Sequence, residues 1–376
     1  MSHPDEGAGA PPAAAIFGCA GPGLSEAERD FFRDADPLGF ILFARNCHSF
    51  DQLRALTGDL RAAVGRADAP ILIDQEGGRV ARLKPPLGHR VPAARRIGER
   101  YERDADAGRA AAWAAGRLIA ADLTALGIDV DCAPVLDLAR PETTKAIGDR
   151  SWSGDPHAVG ELGRAVAEGL LAGGVLPVIK HMPGHGRARV DSHEELPTVD
   201  APASELAASD FMPFRVLSGL PLGMTAHVRY TAIDPDRPAT HSPTVIADIV
   251  RGHIGFDGLL MTDDLAMRAL EGTPGLRARR SLAAGCDIAL HCTGRLDEMR
   301  DVAANVSPMS SAACRRWAAA RAAKPGQTAG YGPDYGPDGL ARILPAFIGD
   351  AGAVDTILQG RADTVSDVLA GLLSSI

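Results

Sequence analysis

Short apolar runs recur along the chain, separated by longer stretches in which apolar residues return every three or four positions. Gly39-Phe40-Ile41-Leu42-Phe43, Ile71-Leu72-Ile73, residues 128–135, Val175-Leu176-Pro177-Val178-Ile179, and residues 222–226, 258–262 and 286–290 have the length and content of buried strands. Between them the pattern predicts helices from about Ser25, over 51–64, over 106–126 with a stop at Gly127, over 204–218 with an interruption at Pro213, and from Ser242-Pro243. A further helix opens at Asp155-Pro156 and closes at Gly173-Gly174; a capping side chain with proline in the first turn starts a helix, and paired glycines end one. Strand and helix in such regular alternation imply a parallel sheet with helical crossovers.

Where the polar residues fall decides between an open and a closed sheet. Asp74 follows Ile71-Leu72-Ile73, Lys180 follows Val178-Ile179, His227 follows Thr225-Ala226 and Asp263 follows Met261-Thr262. Each stands just past the carboxyl end of a different strand, where a (β/α)8 barrel gathers its site residues. A doubly wound sheet concentrates its site at one switch point and usually carries a glycine-rich phosphate loop, and neither GxGxxG nor GxxxxGK[ST] occurs here. The fold expected is therefore α/β, a single (β/α)8 TIM-type barrel. Its expected span is residues 16–295, after a mobile Ala/Pro-rich start at 1–15 and before a peripheral C-terminal extension at 296–376. That extension holds a Pro/Gly-rich connector at 323–339, with the doubled Tyr331-Gly332-Pro333-Asp334 and Tyr335-Gly336-Pro337-Asp338, and a helical segment near 356–373.

Composition narrows the partners. A formal net charge of −9 argues against a nucleic-acid groove or an anionic membrane surface, both of which need a basic patch. No apolar run approaches the roughly 20 residues of a membrane helix. The run from Ala13 to Cys19 resembles a short signal core or a lipid-attachment site. No Lys or Arg precedes it, however, and Asp5 and Glu6 are acidic, so a cytoplasmic protein is expected. The six cysteines, Cys19, Cys47, Cys132, Cys286, Cys292 and Cys314, form no CxxC pair and read as reduced core thiols.

The densest chemistry lies in Lys180-His181-Met182-Pro183-Gly184-His185-Gly186 and the Asp191-Ser192-His193 that follows: three imidazoles, an ammonium and a carboxylate within fourteen positions. Pro183, Gly184 and Gly186 make the chain turn directly after a buried strand, which presents these groups at a strand end. An imidazole gives and takes a proton near neutral pH, and a carboxylate two residues away can orient it, so Asp191 and His193 form a candidate acid–base pair. Asp263 is a candidate nucleophile. Adjacent side chains of an extended chain face opposite ways, so only one of Asp263 and Asp264 can face the barrel mouth; the pattern leaves both open, together with a role as first-turn helix acids.

Asp74-Gln75-Glu76-Gly77-Gly78-Arg79-Val80, the 180–193 stretch and Thr262-Asp263-Asp264-Leu265 together resemble the family 3 glycoside hydrolases, in matching order from about Ile16 to Arg295. Within that family the chain is similar to the bacterial β-N-acetylhexosaminidases of peptidoglycan recycling. Two departures stand out: the family usually has Phe where this chain has Met182, with a small effect on pocket shape expected, and the tail past Arg295 has no counterpart. The resemblance implies hydrolysis of terminal β-linked N-acetylglucosamine with retention, from muropeptide fragments such as GlcNAc-1,6-anhydroMurNAc. It makes Asp263 the nucleophile, His193 with Asp191 the acid/base, and Asp74, Arg82, Arg150, Lys180 and His181 the sugar-binding residues. His185 is expected to shape the loop by hydrogen bonding, and His227 to form pocket wall or frame. A small carbohydrate or muropeptide is the expected partner, with no cofactor, metal, nucleic acid or membrane, and a monomer is expected.

Rival readings follow from the same residues. His181, His185, Asp191 and His193 are zinc-ligand types, as in a metal-dependent barrel hydrolase, although Lys180 would set a cation beside the metal. A non-catalytic sugar-binding protein would use the carboxylates only to hold ligand. A β-glucosidase relative, or a phosphorylase in which a neutral histidine tolerates incoming phosphate, would keep the same frame. Asp74 paired with Arg79 or Arg82 would be, on the plainest reading, an ordinary ion pair.

Overall fold

The computed structural model describes residues 10–323. Eight parallel strands follow one another in the order expected of a barrel: β1 Ala13–Gly18, β2 Pro37–Leu42, β3 Ile71–Ile73, β4 Val130–Asp131, β5 Leu176–Met182, β6 Leu222–Thr225, β7 Leu259–Met261 and β8 Ala289–His291. Each strand pairs with its sequence neighbour, and β1 pairs with β8. The ring closes where Met261 bridges Ile288 in parallel and the Thr262 N–H donates to the Ile288 carbonyl at 3.0 Å. The α/β barrel expected from the chain is thus the fold observed.

Helices α1 Glu26–Ala35, α2 Phe50–Ala63, α3 Ala94–Arg103, α4 Ala105–Thr124, α5 Pro156–Ala172, α6 Ala203–Ala208, α7 Met212–Val216, α8 Pro274–Ala284, α9 Leu296–Ala303 and α10 Ser311–Ala322 surround it, with a wider, π-helical segment at Val245–His253. Local signals set several of their ends. Ser25 and Glu28 form a reciprocal capping box on α1, and Asp155 caps α5, whose first residue is Pro156.

Period-two alternation sorts side chains into two cores. Ile16, Ile41, Leu72, Val178, Leu222 and Leu259 fill the barrel interior, whereas Phe17, Phe40, Ile71 and Ile179 face the helices. Met309, Ala313 and Trp317, the last two on α10, belong to the interior cluster and plug the barrel floor.

Two expected boundaries move. Ala13, Ala14 and Ala15 are part of β1 and not of a mobile start: the Ala13 N–H donates to Asp36 O and the Ala14 N–H to Ser307 O, at 2.8 and 3.0 Å. At the other end, α9 and α10 are integral to the barrel, because α9 packs against β1 and α8 and α10 closes the floor. The chain therefore does not turn peripheral at residue 296. The expected connector and the helical segment near 356–373 lie outside the described residues, of which Ala323 is the last. All six cysteines are free.

Candidate active site

β5 carries further than the apolar run suggested. It reaches Met182, held by Leu136 N–H to Lys180 O and Ala226 N–H to Met182 O, both at 2.7 Å, so Lys180 and His181 belong to the strand itself. After β3 the chain doubles back in a short hairpin, Gln75–Gly77 against Val80–Ala81, turning at Gly77 and Gly78 with φ of 92° and 56°, conformations a side chain disfavours. Loop 183–197 packs closely against the segment after β4, where Gly186 lies against the Leu138 carbonyl and a Cβ would come within 2.3 Å.

These elements surround a cleft of about 940 Å³ at the carboxyl ends of the strands. The residues given catalytic and sugar-binding roles from sequence all line it: Asp263, His193 and Asp191, together with Asp74, Arg82, Arg150, Lys180 and His181.

One wall is a buried ionic network. Lys180 Nζ lies 2.8 Å from Asp74 Oδ1 and 2.7 Å from Glu76 Oε1; Arg82 reaches Asp74 Oδ2 at 2.9 Å, and Arg150 holds Glu76 through two bonds of 2.8 Å. Burial by itself would raise the pKa of Asp74, but Lys180 and Arg82 more than reverse this and hold it well below the usual carboxylate range. Glu76 is brought down to about 2 against its burial, by Arg150 and Lys180. Burial would lower Lys180, yet the two carboxylates leave it above its ordinary value. The Asp74–Arg82 ion pair, the rival reading of these residues, therefore exists, and it does so within the cleft wall. Arg79 instead bonds Asp149 at 2.7 Å, together with backbone carbonyls of the 145–147 loop.

Asp263 lies at the carboxyl end of β7. Burial raises its pKa, but the imidazoles of His181 and His227, the Asp264 N–H and Lys180 bring it below the ordinary value, so it is ionised at neutral pH. One carboxylate oxygen accepts the Asp264 N–H at 2.8 Å, and the carboxylate has no other hydrogen bond among the described residues. Asp264 is committed elsewhere: its Oδ1 accepts the N–H groups of Ala266 and Cys292 at 3.0 and 3.1 Å. Both carboxylates border the cleft, but the Asp263 carboxylate has fewer hydrogen bonds than that of Asp264.

His193 stands on loop 183–197 with its side chain 67% exposed. Asp191 Oδ1 accepts both the His193 backbone N–H at 2.9 Å and the ring Nδ1–H at 2.8 Å, which leaves Nε2 as the free ring nitrogen. Burial pushes Asp191 up, but those two bonds bring it net below its ordinary value. His185 lies beneath the loop, its Nε2 3.3 Å from Ser192 Oγ, in keeping with a loop-shaping role; burial lowers it to about 4, so it is neutral.

One expectation is corrected. Met182 packs in the outer layer beside Gly223 and does not line the cleft, so its replacement of Phe leaves the pocket shape alone. Of the two roles open to His227, wall or frame, the structure gives the frame, for it is fully buried behind the cleft. Among the described residues no three His, Cys, Asp or Glu side chains assemble as a metal site, and His181 Nδ1 is already taken by Asp137 at 2.6 Å.

Two residues of the site were not singled out from sequence. Glu76 shares a face with Asp74, since residues i and i+2 of an extended chain point the same way, and that spacing was readable. Asp137 is buried and accepts the His181 ring N–H and the His185 backbone N–H, the latter at 2.6 Å. Its signal was a lone carboxylate in the apolar run 132–138.

A closed α/β barrel whose mouth gathers an ionised, hydrogen-bond-poor carboxylate and an Asp–His pair in one cleft carries the groups of a hydrolase. Residues 24–316 match the model of the glycosyl hydrolase family 3 N-terminal domain, and the chain belongs to that family; it is a glycoside hydrolase. It is 43% identical over 281 residues to a β-hexosaminidase of Alkalilimnicola ehrlichii, covering 74% of this chain and 80% of that protein. A β-hexosaminidase of Chromobacterium violaceum is likewise 43% identical over 279 residues, 73% of this chain and 76% of its own. Among solved structures, NagZ from Neisseria gonorrhoeae in complex with N-trifluoroacetyl-D-glucosamine superposes with a TM-score of 0.80 at 33% identity, over 97% of this chain and 99% of that one.

Proposed function

We propose that this glycoside hydrolase is a retaining β-N-acetylhexosaminidase that removes terminal β-linked N-acetylglucosamine from muropeptide fragments such as GlcNAc-1,6-anhydroMurNAc in cell-wall recycling. The observation that carries the reading is the sharing of one cleft by ionised Asp263 and exposed, Asp191-bound His193. In the first half-reaction Asp263 attacks the anomeric carbon while His193 gives its Nε2 proton to the departing oxygen. In the second, His193 takes a proton from water, which displaces Asp263 and restores the starting configuration. Asp191 orients the ring and stabilises its charged form, as the carboxylate does in other Asp–His pairs.

Asp74, Arg82, Arg150, Lys180 and His181 bind the sugar with directed, charge-assisted hydrogen bonds. The relatives called β-hexosaminidase and the N-acylated glucosamine bound by the gonococcal structure support N-acetyl preference. No helix of the described residues is long and apolar enough to cross a membrane, and we assign the enzyme to the cytoplasm, where small wall fragments are turned over.

The test is mass spectrometry after incubation with a slow-reacting fluorinated N-acetylhexosaminide, beside turnover of a chromogenic N-acetylglucosaminide. Turnover together with a covalent sugar on the peptide bearing Asp263, absent in Asp263→Asn, is expected. No turnover would leave a sugar-binding protein, and turnover without label would transfer the nucleophile's role to the substrate's acetamido group.

A further inference from the structure

Behind the cleft, Thr225, His227 and Thr240 are fully buried and form one hydrogen-bonded line. His227 Nε2 lies 3.1 Å from the Asp264 carbonyl, which only accepts, so Nε2 carries the hydrogen. Burial disfavours the imidazolium, so Nδ1 is bare and needs a donor. Thr240 Oγ1, at 2.7 Å, is that donor. Its single hydrogen has a rival acceptor in the Ala226 carbonyl at 3.1 Å, but giving it up would leave Nδ1 buried and unpaired, and the longer contact loses. Thr225 Oγ1, 2.8 Å away, then donates to Thr240 Oγ1. The line runs in one direction, Thr225 to Thr240 to His227 to Asp264, and permits one tautomer.

Its end point is the residue that aims Asp263. With its carbonyl held by His227 and its carboxylate by Ala266 and Cys292, Asp264 has its N–H left to direct at the Asp263 carboxylate. We propose that His227, locked in one tautomer by Thr240, is a positioning residue that sets the direction of the Asp263 carboxylate through Asp264. The proposal rests on the reading of Asp263 as nucleophile. It gives work to a histidine that does not line the cleft. Small misplacements of a reacting group cost rate steeply while leaving ground-state binding nearly intact.

The experiment measures kcat/KM on a chromogenic N-acetylglucosaminide and, in parallel, inhibition by free N-acetylglucosamine, which reports the cleft without the attack step. His227→Ala is expected to lower kcat/KM about 100-fold with the inhibition constant within about twofold, and His227→Gln, whose amide can still donate to the Asp264 carbonyl, to recover about tenfold of that loss. His227→Ala within about threefold of the parent enzyme overturns the proposal, as does a parallel loss of inhibitor affinity, which would mark a merely structural histidine. If His227→Ala does not fold, Thr240→Val decides, because it keeps the volume and removes the donor. A fall of about tenfold with unchanged inhibition supports the line, and unchanged kcat/KM overturns it. Failure of the nucleophile reading would look different: Asp263→Asn would keep its turnover whatever His227 does.

Discussion

Replacing Lys180 by methionine tests whether the ionic wall of the cleft also holds the barrel together. The ammonium is 2% exposed and contacts Asp74 Oδ1 and Glu76 Oε1, on side chains that are themselves 16% and 7% exposed. Removing one partner of a buried ion pair costs about 3–5 kcal/mol when the other charge is left uncompensated. Here each carboxylate keeps an arginine, Arg82 on Asp74 and Arg150 on Glu76, and methionine fills most of the volume. The cost therefore falls toward the low end, about 2–3 kcal/mol. In a barrel of this size that lowers Tm by roughly 3–5 °C, readable by differential scanning fluorimetry.

The pH dependence supplies a sharper check. Asp74 and Glu76 have folded-state pKa values depressed below their unfolded ones, with Glu76 at about 2. Such groups stabilise the fold above about pH 4–5 and lose that contribution as pH falls through the folded value. Without Lys180 the depression is smaller, so the gap between parent and variant is full at pH 7 and narrows from about pH 5 toward pH 2. No Tm difference at pH 7, or a gap of equal size at pH 7 and pH 3, would refute the reasoning.

Two further expectations separate chemistry from stability. Asp191→Asn disturbs a pair whose side chains are 33% and 67% exposed, so its Tm stays within about 1 °C of the parent. Turnover of the same variant falls about 10²–10⁴-fold on a substrate with a poor leaving group, and unchanged turnover would remove the pair from the mechanism. Asp137→Asn acts the other way: Asp137 is fully buried and accepts bonds from the His181 ring at 2.6 Å and the His185 N–H at 2.6 Å. Losing those charge-assisted bonds costs about 2 kcal/mol in a urea titration and raises KM as His181 loosens; an unchanged midpoint would contradict the geometry.

The barrel and most of its site were legible in the chain because both are consequences of local pattern. Runs such as Ile71-Leu72-Ile73 and Val178-Ile179 can only be buried strands, and the polar residue after each must emerge at one rim once all strands run parallel. That logic brought Asp74, Lys180 and Asp263 together before any contact was known. It failed at the ends, where Ala13–Ala15 carry too little side chain to signal a strand and where α10 closes the floor through packing rather than periodicity. The different hydrogen bonding of Asp263 and Asp264, the hold of Asp137 on His181, the retreat of His227 behind the wall and the three-cation, two-carboxylate network around Lys180 were decided only in three dimensions. The physical reason is the same in each case: which atom accepts which hydrogen bond depends on partners tens of residues away, while strand and helix periods depend on neighbours a few residues apart.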